Sequence, residues 1–323
     1  MPYQGYWAVG TIIVPLHRQT IKTVKGMKKI LSFIIVLVLG AATATAATTE
    51  GDAVITVKTS KAGKTLVEAW AEAYRAVRPG VDIRVVTGKT KEADLTLTSV
   101  ATADAKVVHV GRYALLPVTS AANPLRADIE KRTWSARDLR RLFFTDEEED
   151  EDIDAGKSAK EKLADKLNVV TGSHSTSWTP ALAAYFGRTK DEVKGSKVAG
   201  DDYYLLSAIE DDPASVTFSS LTFLYDLSSR SLRQEISLLP LNVKKEQNAA
   251  LGNLDSALDV LERQHIDAIP VEYIGLTASH VSADIDDFLE WVVSDGQQYN
   301  HSKGFLRLDE REAKQQIKVL ANR

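Results

Sequence analysis

The stretch VITVKTSKAGKTLVEAWAEAYRAVRPGVDIRVV, residues Val54 to Val86, carries the clearest fold signal in the chain. Val54-Ile55-Thr56-Val57 is β-branched throughout, and stiff branched side chains pack well on a pleated surface, so it predicts a strand. The polar residues Lys58–Gly63 predict a turn, after which Leu66, Val67, Trp70, Ala73, Tyr74 and Val77 recur at helical spacing. Pro79-Gly80 stops that helix, and Val81-Asp82-Ile83-Arg84-Val85-Val86 alternates as a second strand. Working outward, Ala93–Leu97 predicts a short strand and Lys106–Val118 a longer one. Strand, helix and strand at this spacing predict βαβ units, a largely parallel sheet and an α/β fold.

Farther along, helical patterns cover Ala136–Phe144, Lys157–Leu167, Pro180–Phe186, Tyr203–Ile209, Asn253–Arg263 and Ile285–Val293, with a strand at Ile266–Tyr273. Asp146 to Asp154 places eight acids in nine positions, a self-repelling run that reads as a solvated loop. It lacks the glycine bend and alternating ligands of a calcium loop.

The 323 residues are 44% apolar and 26% charged, enough for a buried core and too polar for a polytopic membrane protein. No cysteine is present, which excludes disulfides, thiolate metal sites and a cysteine nucleophile. Residues 1–46 hold five basic side chains and no acid, leaving 35 basic against 44 acidic in the remainder. That balance disfavours nucleic acid as a partner, because non-specific binding rests on Lys and Arg neutralising phosphates.

Met27-Lys28-Lys29, the apolar run Ile30–Leu39 and the small-residue end Ala44-Thr45-Ala46 follow the order of a secretory signal peptide. The run is shorter than the roughly 20 residues a membrane span needs. Residues 1–26 therefore read as an upstream extension and 27–46 as the signal, with a periplasmic mature chain that starts near Ala47 and has no membrane span.

Two motifs fall short of chemistry. Gly63-Lys64-Thr65 ends like a P-loop, but Lys58 stands where the first glycine is required. The histidines (His17, His109, His174, His265, His280, His301) show no zinc-helix spacing, and no Gly-x-Ser-x-Gly elbow is present. No enzyme activity, cofactor or metal is expected. Trp70 and Trp291 lie on apolar helical faces and predict core, whereas Trp178 is placed to line a cleft. Ser177 or Thr179 can cap the helix that follows, with Pro180 in its first turn.

Several segments taken in order carry a resemblance. They are Ile55-Thr56-Val57 with Leu66–Tyr74, Ala93-Asp94-Leu95, Tyr113–Pro124, Asp212-Pro213-Ala214-Ser215-Val216, Phe288–Gln297 and Lys303–Leu308. Together they resemble the PstS-like periplasmic phosphate-binding proteins, the substrate-binding components of ABC transporters. The resemblance implies a type II periplasmic-binding-protein-like fold of two α/β lobes joined by two hinge strands. Residues 47–112 with 271–323 would form lobe one and 113–270 lobe two, with hinges near Tyr113–Val118 and Ile269–Tyr273. It also implies a small polar or anionic ligand between the lobes and an ABC transporter permease as partner.

The family's ligand motifs are altered here. Its first loop falls on Thr59-Ser60-Lys61-Ala62 and keeps only the serine, while its glycine-rich second loop shrinks to Thr87–Glu92. Its acceptor aspartate falls on Ser99, and its Arg-x-x-x-Ser-Gly-Thr motif falls on Thr171–Ser177, with Thr171 for the arginine and Thr176 for the glycine. Ser60, Lys61, Ser99, Ser175, Thr176 and Ser177 are thus the implied ligand residues. Without the bidentate arginine fork, neutral hydroxyls hold a tetrahedral anion only weakly. Orthophosphate itself is therefore not the expected ligand. The alternative function is a periplasmic interaction protein that keeps the shell without a small-molecule ligand.

Overall fold

The computed structural model describes residues 53–88, 92–99, 107–145, 158–173, 177–200 and 202–322. These lie within one compact unit, Thr49–Arg323. The expected extension and signal (1–46), the acidic run (146–154), His174, Ser175 and Thr176 fall outside the described residues.

The strands are β1 Ala53–Thr59, β2 Val81–Thr87, β3 Leu95–Ser99, β4 Val108–Ser120, β5 Asn168–Gly172, β6 Ser196–Val198, β7 Ser215–Ser220, β8 Ile236–Leu238 and β9 Val271–Ala278. The helices are α1 Lys61–Val77, α2 Arg126–Glu130, α3 Ala136–Phe143, α4 Ala159–Ala164, α5 Thr179–Tyr185 and α6 Tyr203–Asp211. They continue with α7 Leu221–Leu224, α8 Lys245–Ala250, α9 Leu254–Arg263, α10 Ala283–Val293 and α11 Glu310–Ala321.

Strand order is β2-β1-β3-β9-β4-β7-β5-β6, with β8 paired to β4. The pairs β1–β2, β1–β3, β5–β6 and β5–β7 are parallel. β9 runs antiparallel to β3 and β4, and β4 antiparallel to β7 and β8. The sheet is therefore mixed, which corrects the largely parallel expectation. Helical crossovers set strand direction only within a lobe, and β9 enters after the whole second lobe has been built.

β4 is the strand that joins the two halves. Val108–Ala114 pairs with β9, and Leu115–Thr119 pairs with β7. The switch falls between Ala114 and Leu115, where the Leu115 amide donates to the Pro270 carbonyl at 2.9 Å. β4 is buried from Tyr113 to Ser120 without interruption, as expected of a strand covered on both faces.

α1 is held by its inner face. Leu66, Val67 and Trp70 are fully buried, and Tyr74 packs against Phe288 and Trp291 of α10 at ring-centroid distances of 5.1 and 5.2 Å. Each such side chain contributes about 1.5–3 kcal/mol of burial, outweighing the ~1 kcal/mol helical cost of Gly63. Gly63 is required by close approach, since a Cβ there would lie 2.2 Å from Thr59 Oγ1 and 2.6 Å from Leu97 Cδ2. The second lobe has its own aromatic core, with Phe143 against Phe218 at 4.7 Å and Phe144 against Phe186 at 5.7 Å.

Four element boundaries differ from expectation for visible reasons. The predicted turn at Lys58–Gly63 reduces to Ser60, whose extended backbone ends β1 and whose carbonyl accepts the Lys64 amide, so Lys61 lies in the helix. The strand expected from Ala93 starts at Leu95, because the Asp94 carboxylate, rather than backbone pairing, meets β1 by accepting the Thr56 amide at 2.7 Å. The strand expected from Ile266 starts at Val271, since Ile266–Ile269 close a turn and Pro270 has no amide to donate. At α5, Trp178 takes the capping position and Pro180 the second helical one, with Ser177 just outside. α11 has no counterpart in the sequence reading; it docks through Gln316, which accepts the His109 amide at 3.0 Å.

Among the described residues, no helix is long and apolar enough to cross a membrane, and no cluster of His, Asp and Glu could hold a metal ion. Trp70 and Trp291 are core, as expected.

Candidate functional site

β1 and β3 are parallel in one half of the sheet, and β5 and β7 in the other. β3 ends at Ser99 opposite Ile274 and β7 at Ser220 opposite Leu115, beside the crossing strands, the kind of region where open α/β sheets gather ligand groups. Four of the six residues singled out in the sequence are described there. Ser60 follows β1 and stands at the start of α1, but its hydroxyl caps no amide. Beside it, Thr59 Oγ1 is buried with no partner among the described residues.

Lys61, in the first turn of α1, reaches away toward α6. Its ammonium donates to the Tyr204 hydroxyl at 3.0 Å and lies 4.9 and 4.3 Å from the Tyr203 and Tyr204 ring centroids.

Ser99 ends β3, is buried, and shares a hydrogen bond with the Tyr113 hydroxyl at 3.2 Å. Burial raises the Tyr113 phenol well above its usual range; the Ser99 bond opposes this, and the Glu272 and Asp202 carboxylates add to it. The Tyr113 ring stacks on Trp178 with centroids 4.0 Å apart. Trp178 is 8% exposed, so it serves as wall packing more than as an open lining.

The start of α5 is satisfied from within. The Trp178 amide donates to Asp202 Oδ2 at 2.7 Å, and Asp202 is itself 3% exposed. Ser177 Oγ donates to the Gly172 carbonyl and accepts from the Thr179 amide, both at 3.4 Å. The Gly172 amide donates to Thr179 Oγ1 at 3.1 Å. Gly172 leaves room for this arrangement, because a Cβ there would lie 2.6 Å from Ser177 Cβ and 2.8 Å from Asp202 Oδ1.

Thr171, on which the resemblance places an arginine, is buried, and its Oγ1 accepts from Lys197 Nζ at 3.0 Å. Burial lowers the Lys197 ammonium below its usual value, with Asp191 opposing the shift.

Ser99 thus bonds one ring of the Tyr113–Trp178 stack and Ser177 directly precedes the other in the chain, while Lys61 is drawn to α6. Glu272, paired opposite Tyr113 on β9, is half-buried, and burial pushes its carboxyl upward. Asp202 and Glu272 thus both place negative charge near the Tyr113–Trp178 stack, an unfavourable field for a dianion there. Sequence reasoning missed Asp202, Tyr203, Tyr204 and Lys197. One signal was available: adjacent helical positions point about 100° apart, so two consecutive tyrosines cannot both be buried in one narrow face.

Open grooves of about 700 and 540 Å³ occur elsewhere among the described residues, one beside Ser135, Arg137 and Lys244 and the other beside Arg141, Lys194 and Asp212. Of the implied residues that are described, Ser60, Lys61, Ser99 and Ser177, none lines either groove.

No family model matches the chain, and no curated protein matches it in sequence. Solved structures do. The chain is 13% identical to an ABC-type phosphate transport receptor from Vibrio cholerae, covering 79% of this chain and 100% of that one at a TM-score of 0.52. It is 12% identical to a Clostridium perfringens protein assigned as a phosphate ABC transporter substrate-binding protein and solved with bound phosphate, covering 79% and 100% at a TM-score of 0.50. Likeness at these identities establishes architecture: the chain has a type II periplasmic-binding-protein-like fold of two α/β lobes. Within that class it has the fold of the PstS-like phosphate-binding proteins.

Proposed function

We propose that the chain is a periplasmic solute-binding protein of the ABC-transporter type, not an enzyme, which holds a small polar ligand other than orthophosphate between its lobes. Lobe one takes residues 47–112 and 271–323, and lobe two residues 113–270. The mature protein is exported on residues 27–46, and a transporter permease reads its closed form.

The observation that carries this reading is the switch of β4 from β9 to β7 at Ala114/Leu115, which brings the ends of β1, β3, β5 and β7 to one cleft. Ligand that touches both sides favours closure, because only the closed state makes both sets of contacts. Ser60, Lys61, Ser99, Ser175, Thr176 and Ser177 are its proposed contacts. The case against orthophosphate rests on Thr171 and Ser99, which replace a cation and an acceptor and are both hydrogen-bonded internally. Loss of a bidentate arginine weakens an anion by at least ~100-fold, given about 1.5–3 kcal/mol per charged hydrogen bond.

A second reading, an interaction protein without a small ligand, is favoured by the internal bonding of Ser99 and Ser177. A thermal-shift screen of oxyanions and neutral polar solutes separates the two, since a ligand specific to the native state raises its melting temperature. A hit confirmed by calorimetry supports solute binding, and a screen with none supports the second reading. Micromolar orthophosphate binding would contradict the exclusion of phosphate.

A further inference from the structure

The contacts between the lobes fall into two sets. One lies beside the crossing strands. There, next to the Leu306–Arg112 bridge within lobe one, Glu262 of α9 bonds His301 Nε2 at 2.7 Å, the Arg307 amide at 2.7 Å and Arg307 Nη2 at 3.1 Å. Arg230 donates to the His301 carbonyl at 2.9 Å, and Thr222 Oγ1 to the Lys303 carbonyl at 2.9 Å.

The other set is at the cleft, and Lys61 is its cation. α1 precedes the first crossing, and α6 lies between the two. The Tyr203 and Tyr204 rings meet edge to face, 5.7 Å apart at 81°, and Phe223 braces Tyr203 from behind at 5.9 Å. The corner is 48% and 43% exposed even with the Lys61 ammonium seated on it.

We propose that Lys61 and the Tyr203–Tyr204 corner form a latch that holds the lobes closed without ligand. The latch rests on the reading that the lobes open and close about the crossing strands. Rotation about those strands moves the Glu262 contacts little, because they adjoin the axis, but it separates α1 from α6. A cation seated on an exposed aromatic face shifts such an equilibrium about threefold to tenfold. That is enough to favour the closed form and little enough for it to open. A closed-form partner would then meet a population of closed chains before any solute binds, and solute would add to that population rather than create it.

The test needs no ligand. The chain has no cysteine, so Glu72→Cys on α1 and Glu210→Cys on α6, both exposed, take spin labels at those two places alone. Double electron–electron resonance on the labelled protein is expected to show mainly short distances. Adding Lys61→Met, which keeps the aliphatic stem and removes the charge, is expected to raise the ratio of long to short distances about threefold to tenfold. Tyr203→Leu combined with Tyr204→Leu should do the same, with circular dichroism confirming the fold in each case. A distribution unchanged in both variants overturns the latch, as does a parent protein already broadly open. Because no solute is added, an empty ligand screen beside a working latch would sink only the proposed function.

Discussion

Beside the crossing strands the lobes are joined by a half-buried carboxylate that collects several donors, whereas at the cleft a single ammonium rests on two half-exposed rings. Glu262 has 17% of its side chain exposed and accepts from an imidazole, a guanidinium and a backbone amide. Burial by itself would push its carboxyl up, but the His301 bond, the Arg307 side-chain bond and the Arg307 amide outweigh that and bring it to about 2. Lys61, by contrast, is an exposed residue. The difference teaches how burial and the number of donors separate a firm contact from a loose one; under the latch proposal, the first survives rotation of the lobes and the second does not.

The largest expected effect comes from breaking the buried side. Glu262→Ala leaves His301 and the Arg307 amide without their acceptor and should cost about 3 kcal/mol in urea unfolding. A loss under about 1 kcal/mol would remove the distinction between the two contacts. Next is pH. A carboxyl depressed in the folded state contributes stability that is complete above its ordinary value and is lost as pH falls through the folded value. Stability should therefore drop by about 2 kcal/mol between pH ~5 and pH ~2 on account of Glu262. Glu262→Gln should flatten that part of the curve, and equal slopes in the two proteins would assign the acid loss elsewhere.

Gly304→Ala should have a smaller effect. Gly304 has φ 78°, and a Cβ there would lie 3.0 Å from the Thr222 amide nitrogen, so alanine strains the tail against α7. A cost of about 1–2 kcal/mol is expected by thermal or chemical unfolding. The smallest effect belongs to Lys61→Met, under about 1 kcal/mol in global stability despite its effect on the distance between lobes. A global loss as large as that of Glu262→Ala would show that Lys61 holds the fold together rather than gating it.

The β1–α1–β2 unit was legible because its signals are local: β-branched runs, helical spacing and Pro79-Gly80. The mixed sheet was not, because the direction of β9 depends on a lobe built between it and its neighbours. Small boundary errors had equally local causes, as with Asp94, whose carboxylate took the place of backbone pairing. At the site, the resemblance pointed to Ser99 just past a predicted strand and to Ser177 ahead of a predicted helix, yet their partners Tyr113 and Gly172 became apparent only in three dimensions. Asp202 went unnoticed because nothing in the order of residues says that a carboxylate just before α6 will meet the amide of Trp178, the residue that caps α5.

By itself, the sequence determined the α/β class and the strand–helix alternation. Those follow from periodicity and residue identity, which act over a few positions. Tertiary structure alone decided which polar groups pair. It set Lys61 on the Tyr203–Tyr204 corner, 142 and 143 positions away in the chain, and Glu262 under His301, 39 positions away. Burial and hydrogen bonding depend on distance in space, and the crossing of β4 between two sheet halves is what turns distance along the chain into contact.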